Sequence, residues 1–430
     1  MIAERKPELA ELVKIPVEFR LIFECIASNP DEKKIRKIIA EENPDMKFFW
    51  KLIQKHEVLP VVARTFGNFS YRANPGATFS NFRNKASQIA FKNNVFEEEL
   101  LRIIEALQTH TIPVIPYKGA VIARYVYGDP FLRPYGDLDI LIRKNDYYSV
   151  KQVMAALGYM PLKKESEEQE KNRLEEDCEN AFTFQRNGLD ITLDVHWNLM
   201  KKFQRLDIPF EKLWNEGRKV NFRGREIVIF SPEDTFITLV MHHGLKHLWE
   251  DLKGIQDIFF LLKDENQIDQ NKLIYLAREL KVEKLLYVGC LLAARIFNCQ
   301  LPTVIQEKIE ENPELEKIVF LKIQSITSFR FDTIKPANLN HQQIQSAIYR
   351  DGLKDKLLVF SNGINNIFKP NILDKNVIKL PVYLSFLYYV IRPFRVLISW
   401  GPVSFFQKMK DYFVQLIQLL FSMFRSIRVK

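Results

Sequence analysis

The sequence predicts an α+β protein, a small mixed sheet near the middle of the chain flanked on both sides by helical regions. Three observations carry this expectation. Apolar residues recur at three- and four-residue intervals over the first hundred positions. Between about residues 112 and 230 the period shortens to two, with a strong hairpin signal at Asn187-Gly188. Helical spacing returns from Ser231 onward.

Each element follows in order. FRLIFECIA, KKIRKIIAEE and FFWKLIQKHEVLPVVARTF read as helices, and Asn29-Pro30-Asp31 and Asn43-Pro44-Asp45 are loop signals ahead of two of them. A longer helix is expected from about Ser87 to His110, because that stretch keeps a helical stripe without Pro or Gly. IPVIPYKG (112–119) is a short β-rich run, followed by the helical AVIARYVYG. A strand beginning at Asp137 comes next, then a helix from about Asn145 to Leu157 closed by Gly158. The charged stretch 163–177 reads as a solvated loop or exposed helix, the segment 181–197 as a hairpin, and RKVNFRGREIVIF as a last strand pair. Ser231-Pro232-Glu233-Asp234 starts a helix with proline in the first turn and acids at its positive end. The expected divisions are an N-terminal helical region (1–110), a mixed α/β core (111–230), a further helical domain (231–340), and a linker with a basic, aromatic-rich tail (341–430).

Composition narrows the function classes. With 47% hydrophobic and 27% charged residues among 430, disorder along the whole chain is excluded. Four scattered cysteines without a CxxC pair fit reduced thiols, and the charged N-terminus is not a secretory signal, so cytoplasmic residence is expected. The net charge of +9 is concentrated: residues 381–430 hold seven Lys or Arg against one acid. That charge lies in a strongly apolar segment rather than a polar stripe, which argues against nucleic acid as a partner. Two readings of the tail stay open, helices packed on the body or a peripheral contact at the inner face of a membrane.

The chemistry concentrates in RPYGDLDILI (133–142). Asp137 and Asp139 are one residue apart, so in a strand both carboxylates share a face. Like charges held side by side are tolerable mainly with a cation between them. On the second strand of the hairpin, Asp190, Thr192, Asp194 and His196 share one face and Ile191, Leu193, Val195 and Trp197 the other. If that strand pairs near the aspartate strand, three carboxylates converge. Two divalent ions about 4 Å apart, clamped by carboxylates, are the apparatus of in-line displacement at phosphorus, and magnesium prefers such oxygen ligands.

The order Lys-Gly, helix, Gly-Asp-x-Asp strand, helix, then a carboxylate on a later strand resembles the DNA polymerase β-type nucleotidyltransferase fold. More narrowly, HEVLPVVARTF (56–66), the block 112–142, LDVHWNL (193–199) and the block 239–258 resemble a poorly characterised bacterial group of nucleotidyltransferase family proteins. The resemblance implies that Asp137, Asp139 and Asp194 are catalytic and hold metal, with two Mg2+ ions expected. It implies a nucleoside triphosphate substrate, ATP being the expected one, and NMP transfer to an unidentified acceptor hydroxyl with release of pyrophosphate. Asp194 would also help deprotonate the acceptor. Lys118 and Gly119 stand where the superfamily has Gly-Ser; the glycine lets backbone approach phosphate, and Lys118 would supply a point charge in place of the serine contact. Arg133 has two readings, a clamp on a phosphate oxygen or a structural ion pair. The resemblance also implies that the helix carrying His243, Lys246 and Lys253 flanks the site. His243 and His247 sit four apart, but the intervening Gly-Leu-Lys lacks the glutamate of HExxH. The departure at the Lys-Gly turn keeps a second function open: a non-catalytic nucleotide-binding or scaffold protein on the same fold.

Overall fold

The computed structural model describes residues 15–68, 77–201, 206, 208–263, 267–328, isolated positions between 349 and 378, and 380–401. The chain forms two compact units, residues 1–333 and 334–430.

In the first unit, helices α1 (Val17–Ile26), α2 (Glu32–Glu41), α3 (Met46–Lys55) and α4 (Leu59–Asn68) come first. The two Asn-Pro-Asp signals end in N-caps: Asp31 accepts from the backbone N–H groups of Lys33 and Lys34, and Asp45 from those of Lys47 and Phe48. Helix α5 (Ala77–Thr109) begins ten residues before the expected start. Packing explains the extension, since Phe82 is buried against Phe49 and Phe66 and stacks on Trp50.

The sheet follows, with strands β1 (Ile115–Pro116), β2 (Asp137–Leu141), β3 (Met160–Pro161), β4 (Glu179–Arg186) and β5 (Leu189–His196) in the order β1-β2-β5-β4-β3. Helix α6 (Gly119–Tyr125) joins β1 to β2. A single 3-10 turn and α7 (Tyr147–Ala156) follow β2, and α8 (Glu167–Glu176) precedes β4. Strands β2 and β5 are parallel and the other pairs antiparallel. Asn187 and Gly188 close the hairpin with φ of 51° and 73°, the two positive values a type I′ turn requires. The charged stretch forms α8, opened by a capping box between Ser166 and Gln169.

Alternation along the central strands separates two environments. Leu138, Ile140, Ile191, Leu193 and Val195 join one core with Phe96, Leu100 and Ile103 of α5 and Val150 and Met154 of α7. The opposite face carries Asp137 and Asp139 of β2 and Thr192, Asp194 and His196 of β5, with Leu141 buried beside them. A separate ribbon, β6 (Arg218–Phe222) and β7 (Arg225–Ile229), adds Phe222, Ile227 and Ile229 to the same core.

Beyond the ribbon and the short α9 (Phe210–Asn215) that precedes it, the chain is helical: α10 (Pro232–Met241), a π turn at His242–Lys246, α11 (Leu252–Lys263), α12 (Gln270–Glu279), α13 (Glu283–Phe297), α14 (Thr303–Glu310) and α15 (Glu314–Thr327). Ser231 caps α10 by accepting from the Asp234 N–H.

In the second unit, a 3-10 segment (Val382–Leu387) leads into α16 (Tyr388–Trp400). Arg392 and Arg395 both bond the buried Asp374. Tyr383, Phe386, Val390, Phe394 and Ile398 are exposed. No helix among the described residues is long and apolar enough to cross a membrane. Most of the tail expected to pack on the body or contact a membrane, residues 402–430, lies outside the described residues, as does most of the expected linker.

Candidate active site

The parallel pairing of β2 with β5 sets Asp139 directly beside Asp194 and Asp137 beside Thr192. Paired residues on neighbouring strands point to the same face, so Asp137, Asp139 and Asp194 share the polar side of the sheet. One ligand atom each from Asp139, Asp194 and His196 lie within 4.8 Å of one another. Two carboxylates and an imidazole so placed form a donor set that fits a divalent cation.

The Lys118-Gly119 turn abuts the aspartate strand. Gly119 has φ of +43°, and a Cβ there would lie 3.2 Å from the Asp137 carbonyl oxygen and 3.3 Å from the Tyr135 ring. Both the left-handed backbone and the close approach call for glycine. Lys118 Nζ donates to Asp139 Oδ1 at 2.8 Å, so its ammonium is held by the carboxylate.

His196, which the strand pattern puts on the face of Asp194, stands at the site together with two residues the sequence does not mark, Glu179 and Tyr117. His196 is 1% exposed, with Nε2 3.0 Å from the same Asp139 oxygen and Nδ1 3.2 Å from Glu179 Oε2. Glu179 stands opposite His196 on β4 and is 3.5 Å from Lys246 Nζ. Counting outward from the Asn187-Gly188 turn gives that pairing, so the hairpin signal already contained it. The Tyr117 hydroxyl is buried and has no hydrogen-bond partner among the described residues. No sequence signal points to it.

The electrostatics follow from crowding. Burial and then the charges of Asp139, Asp137 and Glu179 push the Asp194 carboxyl up to about 7. Burial and Asp139 likewise raise Asp137, against Lys118 and Lys253. Burial would also raise Asp139, but Lys118 and His196 outweigh it and hold this carboxyl well below the usual carboxylate range. Burial and the Lys118 charge lower His196. Burial lifts the Tyr117 hydroxyl well above the usual phenol range, and the neighbouring acids add to that.

Arg133 takes the structural role. Its Nε and Nη2 each donate to Asp257 at 2.8 Å, a bidentate pair with side-chain exposures of 6% and 0%. The Tyr127 hydroxyl donates to Asp257 at 2.7 Å, and His243 Nε2 lies 2.9 Å from it. Of the two readings of Arg133, the structure shows the buried ion pair, and the guanidinium charge lowers Asp137. Lys253 bonds Glu57, and Lys246 faces Glu179. His242 and His247 stack edge-on with ring centroids 4.6 Å apart. Asp190 accepts from Gln185 at the exposed end of the hairpin, outside the site.

Residues 42–298 match the profile of a family described as uncharacterised nucleotidyltransferase. The chain belongs to that family. The matched stretch runs from the approach to α3 to just past α13 and so contains the whole site from Lys118 to Asp257. No curated protein matches the chain. Among solved structures, it is similar to the antibiotic-resistance factor ANT(2'')-Ia in solution, at 11% identity and TM-score 0.30, over 43% of this chain and 91% of that one. The crystal structure of ANT(2'')-Ia with adenylyl-2''-tobramycin gives 10% and 0.30, over 43% and 97%. An antigenic nucleotidyltransferase-like protein from Paracoccidioides brasiliensis gives 15% and 0.31, over 52% and 92%. Likeness of this extent bears on neither substrate nor mechanism. The chain is a nucleotidyltransferase-family enzyme with an α+β fold.

Proposed function

We propose that this enzyme moves a nucleoside monophosphate from a nucleoside triphosphate, ATP being the expected donor, to an acceptor hydroxyl. The observation that carries this reading is the register of β2 on β5, which brings Asp139 and Asp194 side by side with Asp137 on the same face. Asp137, Asp139 and Asp194 would hold divalent metal, Mg2+ in the expectation from sequence. A bound ion supplies charge neutralisation at the α-phosphate and leaving pyrophosphate. Asp194, beside Asp139 on the same face, is placed to accept the acceptor's proton. The acceptor oxygen forms the new bond to the α-phosphorus as the bond to the bridging oxygen breaks and pyrophosphate departs. Lys118, released from Asp139, would face the phosphates from the turn that Gly119 keeps close to the strand.

A second reading, nucleotide binding without transfer, has one observation in its favour. The Lys118 ammonium already neutralises Asp139, and the turn offers no serine. Incubation with each labelled triphosphate, Mg2+ and a cell extract as acceptor source separates the two. Label transfer that falls on the order of 10²–10³-fold in Asp137→Asn and Asp139→Asn supports the enzyme. Metal-dependent triphosphate binding without transfer supports the second reading, and the absence of such binding overturns both.

A further inference from the structure

His196 lies between two carboxylates. Nε2 is 3.0 Å from Asp139 Oδ1, and Nδ1 is 3.2 Å from Glu179 Oε2 without a well-aligned hydrogen bond. An imidazole with one ring proton cannot donate to both, so one contact sets a nitrogen lone pair against an anion. A cation shared by Nε2, Asp139 and Asp194 removes the conflict and leaves Nδ1–H for Glu179. That is the carboxylate–histidine–metal arrangement, in which an outer carboxylate fixes the ring's tautomer and orientation. The ring is 1% exposed, and the ligand atoms of all three residues are already within 4.8 Å of one another.

We infer that His196 is a nitrogen ligand of the catalytic metal, oriented by Glu179, and that the site favours a first-row transition ion such as Mn2+ over Mg2+. This rests on the metal-site reading above and changes its donor set from oxygen alone to mixed oxygen and nitrogen. Imidazole suits transition ions, whereas Mg2+ keeps oxygen ligands. Cys178 and Glu179 form a second triple with the same ring. It competes for His196 through Nδ1, and a thiolate ligand would betray itself in the Co2+ form as a charge-transfer band.

The test uses the full chain loaded with Mn2+ and read by pulsed electron paramagnetic resonance, with affinities from titration calorimetry. Nitrogen-14 coupling of an imidazole is expected in the wild type. It should survive in His242→Asn and His247→Asn and vanish in His196→Asn. Mn2+ affinity should fall on the order of 10–100-fold in His196→Asn and about 10-fold in Glu179→Gln, with Mg2+ affinity changing less in both. Bound Mn2+ without imidazole coupling, or a thiolate band with Co2+, overturns this inference and leaves the metal site standing. No binding of either ion overturns the metal site itself. Should His196→Asn fail to fold, the wild-type spectrum and Glu179→Gln decide.

Discussion

Asp257 and Asp139 are both buried carboxylates, each met by a basic side chain and a histidine, yet their surroundings differ in kind. Asp257 sits among donors, with Arg133, Tyr127 and His243 all directed at its two oxygens. Asp139 shares its face of the sheet with Asp194 and Asp137, and Glu179 stands just beyond. Arg133 outweighs burial at Asp257 and holds that carboxyl well below the ordinary range. The acids around Asp139 instead raise one another. One cluster is complete within the protein, and the other is short of positive charge. That shortage is what separates a ligand-binding face from a structural ion pair of similar burial.

The largest effect that tests this contrast is at the complete cluster. Asp257→Ala leaves Arg133 buried without its partner and should cost about 3–5 kcal/mol of folding stability, read as a drop in the urea midpoint. A loss near zero would show that the cluster is not the structural member of the pair.

Asp194→Asn should do the reverse. The folded carboxyl is pushed up to about 7 from an ordinary 3.8, so the native state binds its proton more tightly than the unfolded chain. Stability from that proton is present below the unfolded value and is lost as pH rises through the window between the two. The variant removes the loss and should gain on the order of 2–3 kcal/mol at pH 8, about half the full linkage value because the group is partly solvated. Measured without metal, the gain should shrink to nothing near pH 4; a gain independent of pH would refute the raised carboxyl as its cause.

Gly119→Ala gives the smallest change. A methyl group at φ +43° costs roughly 1–2 kcal/mol and pushes on the Asp137 carbonyl. Thermal unfolding should register that cost. The variant's Mn2+ affinity should also fall, because the strand carrying the ligands is displaced; unchanged affinity would separate the turn from the site.

Much of the polar face is legible in the sequence because it obeys local rules. Asp137, Asp139 and Asp194 follow from a two-residue period, and Asn187-Gly188 fixes the register that carries Asp194 and places Glu179 opposite His196. Long-range choice is what local rules leave out. Nothing near Arg133 in sequence names Asp257 as its partner, although one acid in the apolar stripe LKGIQDIFFLL hints at a buried pair. Tyr117 is an ordinary β-run aromatic until β2 and β5 assemble around it. Helix α5 runs past its expected start because Phe82 finds a pocket between α3 and α4, a tertiary gain that no local propensity records.

The parallel pairing of β2 with β5 also has a kinetic side. Asp139 and Asp194 are separated in sequence by α7, α8, β3 and β4, and they become neighbours only when that stretch of chain closes on itself. Closing that long loop is an entropic cost met before the pairing contributes anything. The same closure is the moment at which the acids first meet. Their repulsion therefore weighs on the barrier to folding as well as on the finished state, and a cation present during refolding should speed the docking of the two strands.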